Sequence, residues 1–144
     1  STDIIVGFPG ETEAEFQETL KVMNAVKFDS AFTFKYSLRA GTKAAEYSEQ
    51  VPETEKQKRL EEVIKLQKHH TLSRNKAIIG QVKKVLVEKV SKRSATRWAG
   101  RTDSNKWVIF PKEDTLIKDI VPILITDAKG VSLQGQLVKI KEAA

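Results

Sequence analysis

The sequence predicts an α/β segment followed by a small all-β domain, and three observations lead to this fold class. Apolar residues in the first half recur as strand, helix and strand. From Gly80 onward, five short β-branched and aromatic runs alternate with tight polar turns. The charge also changes sign: residues 1–70 hold ten Lys and Arg against twelve Asp and Glu, whereas residues 71–144 hold fifteen against seven. A chain of 144 residues has room for two small modules, and we expect their boundary near residue 70.

The first module begins with a strand–helix–strand pattern. Residues 3–6 form a β-branched run, which the turn at 7–10 ends. A helix is predicted over 12–26, because its first residue and Glu15 have capping-box spacing and apolar side chains follow at helical intervals. The aromatic run at 28–36 predicts a second strand, parallel to the first. Two such strands do not make a stable sheet, so we expect either a missing remainder or support from other chains.

A long helix and a barrel complete the predicted fold. Residues 37–51 lack a periodic pattern and predict a loop. Pro52 suits the first helical position, and the helix that follows extends to about Lys76 and joins the two modules. The five β runs are short and close in sequence, which favours a closed barrel over an open sheet with exposed edges. We predict its strands at residues 80–90, 96–102, 106–110, 118–127 and 131–140.

The turn after the first strand is a candidate ligand site. Gly7, Gly10 and Glu11 lie between a parallel strand and a helix N-terminus, at the sheet edge where α/β folds place ligands. A tight turn that only reverses the chain explains the same residues. Arg39 follows the second strand at the same edge, where its guanidinium pairs either with a ligand's carboxylate or phosphate or with a nearby protein carboxylate. The residues alone leave both alternatives open.

Cations and tryptophans cluster in the second module. Cations bind phosphates and flat rings stack on unpaired bases, so the cluster is typical of single-stranded or loop RNA recognition. The alternative is a solvated charged face around core tryptophans, and Trp107, which alternates with Lys106 and Val108, fits either. The concentration of charge favours RNA. The basic residues around Trp98 and Trp107 are Lys83, Lys84, Lys89, Lys92, Arg93, Arg97, Arg101 and Lys106.

Several kinds of site are excluded or disfavoured. The chain has no cysteine, so it has no disulfide, thiolate metal site, cysteine nucleophile or iron–sulfur cluster on its own thiolates. His69 and His70 are helical neighbours that point apart, and we predict no metal site and no catalytic residue. No apolar run is long enough to span a bilayer, and the first residues do not form a signal peptide. We therefore expect a cytoplasmic location and no membrane partner.

Motifs in both modules occur in an order that identifies a known enzyme family. They lie at residues 3–12, 28–30, 36–45, 50–53, 100–106 and 132–135. The first four resemble the end of the barrel of the radical-SAM methylthiotransferases, and the last two resemble the TRAM domain that ends those enzymes. The motifs at 28–30 and 37–42 are most similar to the branch that modifies tRNA.

The resemblance implies a partial radical-SAM (β/α) barrel with its linker helix at residues 1–70, and a five-stranded, OB-like TRAM barrel that binds RNA at residues 71–144. The whole enzyme would add a methylthio group to N6-isopentenyladenosine next to the anticodon, using S-adenosylmethionine and two four-iron–four-sulfur clusters held by upstream cysteines. This chain would be its C-terminal piece, without cofactors and inactive alone. Its partners would be the missing N-terminal part and the tRNA anticodon stem-loop.

Two other functions stay open. The first is another branch of the same family, acting on threonylcarbamoyladenosine in tRNA or on a ribosomal protein. The second is a stand-alone RNA-binding module without catalysis.

The resemblance, together with the charge cluster, also assigns candidate site residues. The residues that would border S-adenosylmethionine in the parent enzyme are Gly7, Pro9, Gly10, Glu11 and Arg39. The residues that we expect to contact RNA are Lys92, Arg93, Arg97, Arg101, Asn105, Lys106 and Trp107.

Overall fold

The structure, a computed structural model, describes residues 1–138. The chain forms two compact units, Ser1–Thr71 and Leu72–Ala144. The first contains β1 (Thr2–Val6), α1 (Glu13–Val26), β2 (Ala31–Lys35), α2 (Lys43–Glu46) and most of α3 (Glu53–Lys76). The second contains β3 (Val82–Ser91), β4 (Ser94–Thr102), β5 (Trp107–Pro111), β6 (Ile120–Lys129) and β7 (Ser132–Leu137). None of the helices in this part of the chain is both long enough and apolar enough to cross a membrane.

The first unit is built on the predicted strand–helix–strand pattern. β1 and β2 pair in parallel, with Ile4 opposite Thr33, which confirms the prediction of a parallel pair. One face of this two-stranded sheet supplies Ile4 and Val6 to a core with apolar side chains of α1 and α3. The buried members of that core are Ile4, Val6, Phe16, Leu20, Met23 and Val63.

β2 is shorter than the predicted strand at 28–36. The carbonyls of Phe28 and Asp29 accept hydrogen bonds from two side chains of α3, Gln67 Nε2 at 2.8 Å and Thr71 Oγ1 at 2.9 Å. Because these carbonyls are bonded to α3, the strand begins only after them.

The other face of the two-stranded sheet has no cover within residues 1–138. Ile5, Phe32 and Phe34 on this face are 58%, 65% and 52% exposed. The strand register places Phe34 beside Ile5 and Phe32 beside Asp3, so the three apolar side chains form one patch. Parallel sheets in folded α/β proteins are covered on both faces, which this pair of strands is not.

α1 begins with the predicted capping box. The Thr12 hydroxyl accepts a hydrogen bond from the Glu15 N–H at 3.3 Å, and the Glu15 carboxylate accepts one from the Thr12 N–H at 2.8 Å. The hydrogen bond from the Thr12 backbone, with a further one from its hydroxyl, lowers the pKa of Glu15 below its ordinary value. Both side chains are exposed, so the cap can be changed without disturbing the core.

Thr12→Ala is expected to lower the free energy of unfolding of the first unit by about 1 kcal/mol, because it leaves an N–H group of α1 without its acceptor. Urea unfolding followed by circular dichroism at 222 nm measures this change. Thr12→Ser, which keeps the hydroxyl, is the matched control, and equal stability of the two variants would contradict the prediction.

Two local predictions near α3 need correction. The segment 37–51, predicted as a loop, contains the short helix α2. The Pro52 carbonyl accepts the first helical hydrogen bond, from the Lys56 N–H at 3.0 Å, so Pro52 lies just before the first helical residue and not at it. The end of α3 at Lys76 is as predicted.

The second unit is a closed barrel of five strands, which confirms the predicted strand number and closure. Its strands lie in the order β3, β4, β5, β7, β6, and β5–β7 is the parallel pair among antiparallel ones. Each strand begins within two residues of its predicted start, and the last two residues of the strand predicted at 131–140 lie outside the described residues. The buried interior consists of Val85, Val87, Trp98, Val108, Phe110, Ile123, Ile125 and Leu133.

Candidate nucleic-acid interface

Three strands of the barrel, β4, β5 and β7, present one outer surface. Successive side chains of a strand point to opposite faces, so the residues between the core positions point outward. Strand pairing sets these outward residues in two neighbouring rows. Read across β4, β5 and β7, the rows are Ala99–Ile109–Gln134 and Arg101–Trp107–Ser132.

A cleft of about 680 Å³ lies on this surface and is lined by cations. Lys92 and Arg93 reach it from the β3–β4 turn, and Arg97 reaches it from β4. Lys89 and Lys129 are further lining residues, at the ends of β3 and β6. None of the described residues that line the cleft is Asp or Glu. This lining attracts anions and contains no carboxylate to repel them.

The two tryptophans have different positions. Trp107 is half-buried and lines the cleft, with Lys89 Nζ 4.5 Å and Arg101 Cζ 4.3 Å from its ring centroid. Trp98 is buried in the barrel interior, where its Nε1 donates a hydrogen bond to Thr115 Oγ1 at 3.0 Å. The core alternative therefore holds for Trp98, and the structure places Trp107 on the outer surface.

The polar residues next to Trp107 are fixed by hydrogen bonds within the second unit. Arg101 Nη1 donates to Asn105 Oδ1, and Arg101 Nε lies 3.4 Å from Glu88 Oε1. Lys106 Nζ donates to Asn75 Oδ1 at 2.9 Å. These three predicted RNA-contacting residues hold the β4–β5 turn and the Trp107 ring in place. The predicted RNA-contacting residues that the cleft brings together are Lys92, Arg93, Arg97 and Trp107.

The lining residues that sequence reasoning missed include the cation Lys129 and the amide Gln134. The alternation in β7, with Leu133 and Gly135 inside, identifies Gln134 as outward-facing. Its position beside Ile109 depends on the parallel β5–β7 pairing, which has no local sequence signal.

The turn after β1 is closed by its own hydrogen bonds. The Gly7 N–H donates to Glu11 Oε2 at 2.8 Å, and the Glu11 N–H donates to the Phe8 carbonyl at 2.9 Å. The Gly10 N–H donates to the Glu49 carbonyl at 2.7 Å. Gly7 and Gly10 have φ values of +71° and +83°, a backbone conformation that favours glycine. The predicted cofactor-bordering residues Gly7, Gly10 and Glu11 thus form one rigid turn, in which Pro9 is also buried.

Arg59 of α3 holds the same turn from the side. Its Nη1 donates to Glu11 Oε1 at 2.7 Å and to the Glu11 carbonyl at 3.0 Å. Two further carboxylates, of Glu13 and Glu55, lie 3.5 Å and 3.3 Å from the guanidinium. The side chains of Arg59 and Glu11 are only 6% and 14% exposed. The Glu11 carboxylate is therefore already paired and fixes the shape of the turn.

Arg39, the last predicted cofactor-bordering residue, lies on the exposed loop after β2. Its carbonyl accepts a hydrogen bond from the Thr42 hydroxyl at 2.8 Å. No ion pair of its guanidinium occurs within residues 1–138.

The histidines do not form a metal site in the described structure. His70 is buried, with Nε2 3.1 Å from Asn24 Oδ1, whereas His69 is exposed. Across residues 1–138, no group of three or more His, Cys, Asp or Glu side chains is arranged to hold a metal ion.

Comparison with known proteins identifies the second unit and relates the whole chain to a group of enzymes. The family model of the TRAM domain matches residues 76–138. A tRNA-2-methylthio-N(6)-dimethylallyladenosine synthase of Carboxydothermus hydrogenoformans is 48% identical over 138 residues, which are 96% of this chain and 31% of that protein. Proteins of the same name from Moorella thermoacetica and Clostridium botulinum are both 45% identical, over 96% and 94% of this chain.

The chain spans about 30% of the length of these curated relatives. Residues 76–138 are thus a TRAM domain, and the chain matches the C-terminal part of the tRNA-2-methylthio-N(6)-dimethylallyladenosine synthases over nearly its whole length.

Proposed function

We propose that the chain is the C-terminal piece of a radical-SAM tRNA methylthiotransferase of the MiaB branch, and that its second unit binds the anticodon stem-loop of tRNA. The relatives are named for a 2-methylthio modification in tRNA, and TRAM is an RNA-binding domain. The observation that carries the proposal is the cleft on this domain, which five Lys and Arg side chains line without a carboxylate among its described residues.

The strand order of the barrel supports an RNA-binding role. We interpret the order β3, β4, β5, β7, β6 with a parallel β5–β7 pair as OB-like. OB folds bind oligonucleotides with the surface of their central strands. The cleft lies on β4, β5 and β7, which include those strands.

We propose further that residues 1–70 complete a (β/α) barrel whose other strands come from the missing N-terminal part. In such a barrel, helices cover the outer face of each strand and side chains of the inner face fill the interior. Helices α1 and α3 cover the face that carries Ile4 and Val6. The patch of Ile5, Phe32 and Phe34 would then face the interior of the completed barrel, which explains its apolar character.

In the parent enzyme, the turn at residues 7–11 would form one wall of the S-adenosylmethionine site. The N–H groups of Gly7, Gly10 and Glu11 are already used within the unit, so the turn offers a smooth backbone surface and not hydrogen-bond donors. Arg39 is exposed at the same sheet edge, where it would pair with the carboxylate of the cofactor. Reductive cleavage of that cofactor supplies the radical in this enzyme class.

Iron–sulfur clusters do not fit this chain, which has no cysteine and, within residues 1–138, no alternative metal-ligating cluster. We therefore expect the isolated chain to transfer no methylthio group. The genomic reading frame distinguishes the parent enzyme from a stand-alone module: an in-frame Cys-x3-Cys-x2-Cys motif upstream supports the enzyme, and a start codon near Ser1 contradicts it.

Affinity for an anticodon stem-loop RNA is expected to fall roughly 100- to 500-fold between 50 and 200 mM salt, if about five phosphates are contacted and their counterions are released. Fluorescence anisotropy of labelled RNA at several salt concentrations measures the slope of log affinity against log salt. Absence of binding at low salt, or an affinity that does not change with salt, would reject the proposed function.

Two double variants locate the contacts. Lys92→Gln/Arg93→Gln removes two cations of the cleft and is expected to reduce the magnitude of the slope by roughly 1.5. Lys58→Gln/Lys68→Gln removes the same charge from exposed positions of α3 and should leave the slope nearly unchanged. Equal slopes in the two variants would contradict binding at the cleft.

A further inference from the structure

We infer that the cleft is a pocket for one unstacked nucleotide of an RNA loop, with its base stacked on Trp107 and its edge bonded by Arg97 and Gln134. This inference rests on the proposed RNA binding and adds how the second unit would hold one base of an RNA loop. The cleft volume of about 680 Å³ lies within the range of sites that bind small molecules.

The position of Trp107 points to stacking. An indole ring on the outside of a barrel has no part in the core, yet this one is held by two cations: Arg101 packs on it from the neighbouring position of β4, and Lys89 Nζ lies over it, 4.5 Å from its centroid. Arg101 is itself tied to Asn105 and Glu88. A stacking base would take the place of the Lys89 ammonium, whose long side chain can move aside. The ring is therefore pre-positioned beside the cleft. Every base offers a flat π-face to such a ring, but only when the base is not stacked inside a helix.

The floor beside Trp107 is smooth and partly apolar. Ala99 and Ile109 occupy the row next to Trp107, and Ala99 is small enough to leave depth at the centre of the surface. A flat aromatic base fits a recess with an indole wall and an apolar floor, whereas a phosphate group does not. The phosphates flanking the base would instead meet the exposed side chains of Lys92 and Arg93.

The Arg97–Gln134 pair gives the pocket a hydrogen-bonding edge. Arg97 Nη1 donates to Gln134 Oε1 at 2.9 Å, so the amide oxygen is occupied and the amide NH₂ is turned away from Arg97. The Gln134 NH₂ and the other guanidinium N–H groups are donors. Donors select a base edge that carries carbonyl acceptors, which guanine and uracil have and adenine lacks. The pocket should therefore prefer guanine or uracil to adenine.

Two substitutions of Trp107 in the 144-residue chain test the stacking. The probes are a hairpin RNA with an unpaired loop and a fully paired RNA duplex with the same number of phosphates. Trp107→Ala is expected to weaken hairpin binding roughly 5- to 150-fold, the usual loss of one base–aromatic stack, and to change duplex binding less than about twofold. Trp107→Phe keeps a ring and should retain most of the hairpin affinity.

The outcomes separate this inference from the proposed function. Salt-dependent RNA binding with equal losses for hairpin and duplex, or with no loss in Trp107→Ala, overturns the pocket and leaves the RNA-binding proposal standing. No binding of either RNA overturns both. Unfolding by heat, followed by circular dichroism, shows whether Trp107→Ala still folds.

A second measurement does not depend on that variant. In the unsubstituted chain, hairpin RNA should quench the fluorescence of Trp107, whereas the duplex should not, because only the loop offers an unstacked base. Trp98 is buried and adds a constant background. Gln134→Ala should reduce the preference for a loop uracil over a loop adenine, and an unchanged preference, or quenching by both RNAs, would overturn the assignment.

Discussion

Arg59→Ala is expected to destabilise the first unit by about 3–5 kcal/mol, the cost of leaving a buried charge without its partner. The guanidinium binds the carboxylate of Glu11 at 2.7 Å, and both side chains are largely buried. Removal of Arg59 leaves the largely buried Glu11 carboxylate with the hydrogen bond from the Gly7 N–H but without its ion pair, and it also removes a donor from the Glu11 carbonyl. Since whole domains are stable by only about 5–15 kcal/mol, this loss approaches the stability of a small unit.

The two units have separate spectroscopic signals, so the effect can be assigned. Both tryptophans lie in the second unit, and the helices lie mainly in the first. Urea unfolding of Arg59→Ala should shift the transition in circular dichroism at 222 nm to lower urea and leave the tryptophan fluorescence transition in place. Lys58→Ala, at an exposed neighbouring position, is the control and should stay within about 0.5 kcal/mol of the unsubstituted chain.

A further variant tests the role of charge. Glu11→Gln keeps an oxygen that can accept from the Gly7 N–H but gives up the ion pair with Arg59, so it should cost less than Arg59→Ala. If Arg59→Ala is as stable as Lys58→Ala, the Arg59–Glu11 pair does not hold the turn, and the proposed wall of the cofactor site loses its support.

Gly100→Val is expected to destabilise the second unit by about 3 kcal/mol or more, at the upper end of the cost of overpacking a core. A Cβ atom at Gly100 would lie 2.4 Å from the Leu86 carbonyl oxygen and 2.6 Å from Val85 Cγ1. The clash is with the backbone of β3, which cannot move aside without breaking the β3–β4 pairing. Because Ala99 and Arg101 flank Gly100 on β4, RNA affinity should fall together with the fold.

Tryptophan fluorescence during urea unfolding measures this effect, and the circular dichroism transition at 222 nm should change little. Ala95→Val adds two carbons to an exposed position of the same strand and is the matched control, expected within about 0.5 kcal/mol. A Gly100→Val chain with an unchanged fluorescence transition would show that the barrel does not need close contact between β3 and β4 at this position.

Local patterns predicted much of the fold because they act over a few residues. Thr12 and Glu15 are three residues apart, so their capping box follows from spacing alone, and the structure contains it. The strand starts in the barrel were also close to the prediction, because turn residues and alternation are local signals. The strand at 28–36 was predicted too long, since the bonds that shorten it come from Gln67 and Thr71.

For the candidate sites, too, the sequence predicted what depends on local composition and missed what depends on contacts between distant residues. Composition and charge pointed to the second module as the RNA-binding one, and the family match to TRAM agrees with that choice. Nothing in the sequence indicated that Arg59 would take the Glu11 carboxylate, because the two residues are 48 positions apart. The residue-level assignments to cofactor and RNA therefore remain predictions for the variants described above.

The sequence by itself determined, to within two residues, where α1 and the barrel strands begin, that the second module is basic, and that the chain has no cysteine to hold a metal cluster. Tertiary structure alone decided which tryptophan is core and which is surface, and it brought Gln134 beside Ile109 to complete the cleft. The physical reason is the distance along the sequence over which each kind of interaction acts. Backbone propensity and capping depend on neighbours in sequence, whereas a cleft depends on the pairing of distant strands, which the packing of the whole barrel selects.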